Sequence, residues 1–278
     1  MSAAPHPVLA GAPLLIAHRG GAGLYPENTL FAFDRAAVAW RADMFELDVH
    51  ASADGRCVVI HDATLERTTN GAGAVQAHSL AQLQALDAGW QFTADGGQTY
   101  PFRDRGITIP TIDEVLEHHP TMRVTVEVKT AAAQQPLFDA IRRHDAGDRV
   151  IAASAADADR TLFPSWRGAL SASAQQGRRF YKLHRLHLAR FARLGAHVAQ
   201  IPEVWDGRRI VTARLVRDLH RAGAHMHVWT VNELADMHRL LDWGVDGLVT
   251  DFPDRLAAVL HERVGRPLPP GDPALAPP

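Results

Sequence analysis

Residues 44–62 read MFELDVHASADGRCVVIHD, and the way this stretch pairs with itself decides the architecture. Two apolar, β-branched runs, MFELDVH (44–50) and CVVIHD (57–62), are separated only by the six residues ASADGR. A parallel crossover needs a dozen residues or more, so the runs are not successive strands of a parallel sheet. Asp54-Gly55 is a two-residue hairpin cue. With those two as the loop, Ala53 faces Arg56, His50 faces Val59 and Asp48 faces His61. Side chains alternate along a strand, which puts Glu46, Asp48 and His50 on one face.

Seven similar runs lie on either side of this hairpin. They are LLIAH (14–18), RVTVEVK (123–129), RVIAAS (149–154), GALSAS (168–173), HVAQIP (197–202), HMHVWT (225–230) and GLVTD (247–251). Helical periodicity falls between them at 29–42, 111–118, 135–146, 156–163, 174–194, 212–222, 232–243 and 253–263. Strands alternating with helices of this length build parallel βαβ units. Once CVVIHD is a return arm, eight parallel strands remain. The pattern predicts a (β/α)8 TIM barrel as a single unit over residues 1–264.

The stretch 62–109 breaks the alternation and is too long for an ordinary connection. It reads as a small inserted subdomain on the barrel's C-terminal face, with Trp90, Phe92, Tyr100 and Phe102 as its own core. The Pro-rich tail 265–278, GRPLPPGDPALAPP, is expected to be disordered. In PENT (26–29), Asn28 is expected to cap the following helix, and Cys57 to be buried in its strand.

Composition narrows the class. The chain has 278 residues, 46% of them hydrophobic, and a formal net charge of −2. So balanced a charge argues against nucleic acid as a partner. A lone cysteine excludes an intramolecular disulfide and a four-cysteine zinc site. No apolar run reaches the ~18 residues that span a bilayer, and the first residues lack the basic start of a signal peptide, so a cytoplasmic location is expected. Of 29 basic residues only Lys129 and Lys182 are lysines. A point charge and a planar fork are not interchangeable, which singles out Lys129.

In a barrel of this type chemistry sits at the C-terminal ends of the strands. Those ends carry His18-Arg19, Glu46 and Asp48, Glu127 and Lys129, Ser154, Ser171 and Ser173, Pro202, Trp229-Thr230, and Thr250-Asp251, with His61 folded back over the second. Glu46, Asp48 and Glu127 offer only oxygen, which suits Mg²⁺, Ca²⁺ or Mn²⁺. The bland alternative is that these acids merely pair with Arg19 and Lys129. His18 and His61 are the acid–base candidates. The segment 178–193, RRFYKLHRLHLARFAR, holds six basic residues and no acid. It reads as an outer barrel helix with Phe180, Leu183 and Phe191 inward; membrane contact is the less favoured reading.

The motifs HRGGAGLYPENTLFAF, ELDVHASADGRCVVIHDATLERTTNGAG, VEVK, VWTVN and GVDGLVTDFP, in that order, resemble the glycerophosphodiester phosphodiesterases from about Leu14 to about Leu260. The short insertion is similar to that of the compact members. The resemblance implies a TIM barrel, one divalent cation (Mg²⁺ or Ca²⁺) and hydrolysis of glycerophosphodiesters, such as glycerophosphocholine, to glycerol 3-phosphate and an alcohol. It matches His18 and His61 to the acid–base pair, and Glu46, Asp48 and Glu127 to the metal ligands. Arg19 and Lys129 match the phosphate contacts, and Trp229 an aromatic beside the substrate. The nucleophile is water or the substrate's own neighbouring hydroxyl. Two rival readings are a lysophospholipase-D-like reaction on lysophospholipids, and a barrel that binds a phosphodiester without turnover.

Overall fold

The computed structural model describes residues 6–273. The strands, in chain order, begin with β1 (Leu14–His18) and β2 (Met44–Ala51), whose antiparallel return arm is β3 (Cys57–Val59). There follow β4 (Arg123–Val128), β5 (Val150–Ala153), β6 (Ala169–Leu170) and β7 (Val198–Pro202). A small exposed hairpin, β8 (Val204–Trp205) and β9 (Arg208–Arg209), precedes β10 (His225–Trp229) and β11 (Gly247–Thr250). The helices are α1 (Leu30–Val38), α2 (Leu80–Gln84), α3 (Ile112–His118), α4 (Gln134–Arg143), α5 (Ala174–Arg185), α6 (Ala213–Arg221), α7 (Leu234–Asp242) and α8 (Pro253–Val264).

Eight parallel strands run round the wall in the order β6-β5-β4-β2-β1-β11-β10-β7. The ends meet through a single bridge, Ser171 to Val198, reinforced by Ala172 N–H donating to the Val198 carbonyl at 2.8 Å. The predicted (β/α)8 barrel is therefore the fold, nearly closed.

Alternation along the strands sorts the side chains into layers. Outward residues such as Leu15, Phe45, Leu47, Val124 and Val126 pack beneath the helices in the main core. Inward residues at the strand starts, Leu14, Ile16, Met44, Ile151, Val198 and Val249, fill the barrel floor, plugged from below by Val8 and Leu9. Burying side chains of this size is worth about 1.5–3 kcal/mol each, so both layers strongly favour one register. Above the floor the inward positions on β2, β4 and β7 are polar, Glu46, Thr125 and Gln200, and the following ones on β2 and β4 are Asp48 and Glu127. Period two and a fixed register thus lift ionisable groups to one rim.

Several expectations are corrected. The hairpin is one residue out of register: Val49 pairs with Val59, His50 with Val58 and Ala51 with Cys57, so Asp48 lies opposite Ile60 rather than His61. The loop spans three residues, with Ser52 N–H donating to Arg56 O at 2.9 Å and Gly55 at φ +73°. A left-handed residue closing a three-residue loop is why glycine stands there. Asp54 accepts from Ser52 Oγ and from Leu80 N–H, which ties the loop to α2.

Residues 156–163 form only short 3-10 turns, at Asp157–Asp159 and Phe163–Ser165. Arg160 meanwhile donates to the carbonyls of Ser154 and Ser171. The helix expected over 174–194 ends at Arg185, with His187 left-handed at φ +60°, so Phe191 is exposed while Phe180 is buried. Thr29, not Asn28, caps α1 by accepting from Ala32 N–H at 3.2 Å.

Between β3 and α3 an aliphatic cluster forms around Ile60, Leu65, Val75, Leu83, Ile107 and Ile109. Of the four aromatics expected there only Phe102 packs against it. Trp90 and Tyr100 instead flank the Arg103 guanidinium, at 4.5 and 3.6 Å. The tail is not disordered from residue 265. Arg266 donates to Asp43 and to Pro13 O, and the buried Asp272 carboxylate accepts from Tyr25 Oη at 2.8 Å. Residues 274–278 lie outside the described residues. No described helix is long and apolar enough to cross a membrane.

Candidate active site

A cavity of about 270 Å³ opens at the C-terminal rim of the strands. All eight residues singled out in the sequence line it: His18, Arg19, Glu46, Asp48, His61, Glu127, Lys129 and Trp229. Serines 154 and 171, Thr125 and Gln200 complete its polar wall. Among the described residues, a second, shallower hollow beside Leu24, Trp40 and the tail has only Asp254 and Asp272 as ionisable lining groups.

Strand register delivers the acids. His18 pairs with Glu46 across β1 and β2, and Asp48 with Glu127 across β2 and β4. The ligand oxygens of Glu46, Asp48 and Glu127 lie within 4.8 Å of one another. Three acids so close repel, and the consequence is uneven. Burial first, then the charge of Asp48, pushes the Glu46 carboxyl up to about 8. Burial pushes Asp48 up as well, but Lys129 and Arg19 outweigh it and hold Asp48 below the usual carboxylate range. Lys129 Nζ sits 2.9 Å from both Asp48 Oδ1 and Glu127 Oε2, and Arg19 Nε 3.2 Å from Asp48 Oδ2. Glu46 Oε2 is buried without a hydrogen-bond partner among the described residues. A cluster of oxygen donors with an unsatisfied buried oxygen fits a hard divalent cation, and does not fit a soft one.

Each imidazole is backed by a carboxylate. Nδ1 of His18 is 2.6 Å from Asp251 Oδ1, and Nδ1 of His61 is 2.6 Å from Asp62 Oδ1. A carboxylate at Nδ1 holds the proton there and leaves Nε2 for chemistry. His18 Nε2 lies 3.8 Å from Glu46 Oε2. Burial lowers the His18 pKa, yet the Asp251 hydrogen bond and the Glu46 charge outweigh it, leaving a net rise. Asp251 is fixed by Asn232, whose Nδ2 donates to Oδ2 at 2.8 Å.

An ionic chain joins the segment after β3 to the barrel. Arg67 donates to Asp62 at 2.5 Å and, twice at 2.7 Å, to Glu27; Glu27 in turn accepts from Arg19 at 2.9 Å. The Arg67 hydrogen bonds hold Asp62 down at about 2. Asn28, with φ +58°, donates Nδ2 to Asp48 Oδ2 at 3.1 Å. Gly20 makes this loop possible: it is left-handed, and a Cβ there would stand 2.8 Å from that of Ala32 on α1. Sequence reading overlooked Glu27, Asp62, Arg67 and Asn232 and misassigned Asn28. An acid directly after His61 was the one local cue, because Asp62 is adjacent to the ring it supports.

Two carboxylate-backed imidazoles, a knot of acids and two held cations at the mouth of a (β/α)8 barrel define the class: a barrel enzyme equipped for acid–base chemistry on an anion. The chain belongs to the glycerophosphoryl diester phosphodiesterase family, whose model matches residues 18–255. It is 33% identical over 274 residues to the glycerophosphodiester phosphodiesterase of Caldanaerobacter subterraneus subsp. tengcongensis, covering 90% of this chain and 98% of that one. Against the Bacillus subtilis (strain 168) glycerophosphodiester phosphodiesterase it is 30% identical over 255 residues, covering 87% and 84%. Among solved structures it resembles an Oleispira antarctica phosphodiesterase in complex with the product sn-glycerol-3-phosphate. That match has a TM-score of 0.70 and 26% identity, covering 90% of this chain and 97% of that one.

Proposed function

We propose that this protein hydrolyses glycerophosphodiesters to glycerol 3-phosphate and an alcohol, with His18 and His61 as the acid–base pair. The observation that carries the reading is the symmetry of the two rings: each has Nδ1 on a carboxylate at 2.6 Å, and both line one cavity. Hydrolysis of a diester needs that division of labour, one group taking a proton from the attacking hydroxyl while another gives one to the departing alkoxide. Each role is worth about 10²–10⁴ in rate.

Arg19 and Lys129 are charged, partly buried and already oriented by Asp48, Glu27 and Glu127. They would bind the non-bridging phosphoryl oxygens, where charge spreads during transfer, without reorganising. Glu46, Asp48 and Glu127 would hold one divalent cation, Mg²⁺ or Ca²⁺ with Mn²⁺ as a third option. When bound it would add Lewis-acid charge at the phosphoryl group. Trp229, 41% exposed at the rim, would cover the organic part of the substrate.

The test is glycerophosphocholine hydrolysis after chelation, then with each metal restored. We expect activity to vanish and return, and His18→Ala and His61→Ala each to lose at least about 10²-fold in kcat with the fold intact. Full activity in either variant would remove that ring from the mechanism.

A further inference from the structure

We propose that Asp34, His118 and His119 form a second metal site, on the outer wall of the barrel, that takes Zn²⁺ or a divalent ion of similar chemistry such as Co²⁺. Asp34 lies on α1, His118 is the last residue of α3 and His119 follows as its C-cap. Adjacent residues inside a helix point in different directions. His119 leaves helical geometry, at φ −119° and ψ 67°, which lets both rings turn toward one carboxylate.

Asp34 Oδ1 is 3.0 Å from His118 Nε2 and 3.3 Å from His119 Nε2. Ligand atoms about 2.0–2.1 Å from a zinc ion stand about 3.3 Å apart at a tetrahedral angle and about 2.9 Å apart at a right angle. The observed separations fall in that interval. Nε2 of His118 is hydrogen-bonded to that oxygen, whereas the His119 contact is not a hydrogen bond: its side chain is 10% exposed, and Nε2 is buried with no hydrogen-bond partner among the described residues despite the nearby oxygen. A hydrogen bond wants the oxygen on the axis of the ring nitrogen, whereas a shared cation sits on that axis with the oxygen beside it. An orphaned imidazole nitrogen facing a carboxylate is the second half of a ligand set.

Two imidazoles and one carboxylate select a borderline ion over Mg²⁺ or Ca²⁺, unlike the all-oxygen set at the mouth. His118 and Asp34 are half exposed, so water can complete the shell. The site would clamp α1 to α3 over β2. Phe45 of β2 already stacks on Phe33 of α1 at 4.9 Å and meets the His119 ring edge-on at 5.0 Å.

The experiment is Co²⁺ titration of the metal-free protein, followed by ligand-field absorption, with Zn²⁺ competition and thermal unfolding with and without Zn²⁺. Wild type and Glu46→Gln should both show one nitrogen-ligated Co²⁺ displaced by Zn²⁺. His118→Ala and Asp34→Asn should bind it at least about 100-fold more weakly, beyond the 10–100-fold cost of losing a supporting residue. Those two variants should keep wild-type turnover and lose the zinc-induced rise in unfolding temperature. Equal Co²⁺ affinity in wild type and both outer-wall variants overturns the proposal, as does loss of the bound ion in Glu46→Gln alone. The Co²⁺-binding and unfolding readouts do not use turnover, so failure of the hydrolytic reading leaves them interpretable.

Discussion

Asp251 Oδ1 lies 2.6 Å from Nδ1 of His18, a pair 233 positions apart in the chain, and it sets which nitrogen of that ring faces the cavity. The backbone N–H of Asp251 is held by Asn232 Oδ1 at 2.9 Å, so the carboxylate has little freedom to move with the ring. Its supporting role leads to the first prediction. Asp251→Asn should lower kcat by about 10²–10⁴-fold, the scale of one proton-transfer role, while circular dichroism stays unchanged. Because the Asp251 hydrogen bond is what most raises the His18 pKa against burial, the limb of the pH–rate profile governed by His18 should move to lower pH. A profile that keeps its shape would remove Asp251 from the mechanism.

Glu46 gives a stability prediction. Its carboxyl is raised to about 8 in the fold, against an ordinary value of 4.5. The folded state therefore holds that proton more tightly than the unfolded chain does. Its contribution is most favourable below about 4.5 and is lost as pH rises toward about 8. In chelator, Glu46→Gln should melt higher than wild type at pH 8, by at least about 3 °C, with the gap closing toward pH 5. Differential scanning calorimetry at the two pH values measures this. The same variant should be inactive.

The Arg67 chain offers a third. Removing the guanidinium frees Asp62 behind His61 and takes two donors from Glu27, which steadies Arg19. Arg67→Ala should cost about 10–100-fold in kcat/KM, typical for a residue that orients others. Arg67 is itself nearly half exposed, so unfolding temperature should change little. A large melting change with unaltered kinetics would make the chain purely structural.

Lys129 supplies the fourth. Its ammonium bridges Asp48 and Glu127 at 2.9 Å each; burial lowers its pKa but the two acids outweigh that, keeping it charged. Lys129→Arg preserves charge yet replaces a compact group by a broad fork. Turnover should fall at least about 10²-fold, the scale of losing one preorganised electrostatic contact. Wild-type kcat in this variant would show that the site needs only a positive charge.

Much of this site was legible along the chain. The alternation in MFELDVH and RVTVEVK marks Glu46, Asp48 and Glu127 as same-face residues, and the structure places them at one rim. The hairpin shows where such reading stops. Asp54-Gly55 signalled a reversal correctly, but Ser52 and Gly55 close a three-residue loop and shift the register by one. Asp48 consequently faces Ile60. His61 still lines the cavity, with Asp62 and Arg67 behind it where the chain has left the strand.

From sequence alone came the barrel, its eight parallel strands and the set of ionisable side chains at its mouth. Strand geometry obliges alternate residues to face opposite ways, so an apolar pattern along the chain already encodes inside and outside. Adjacency in the chain already offered Asp62 to His61, but tertiary structure alone decided the other partners: Asp251 for His18 and Glu27 between two arginines. Those choices depend on where loops come to rest, and a loop's resting place is set by packing against residues far away in the chain.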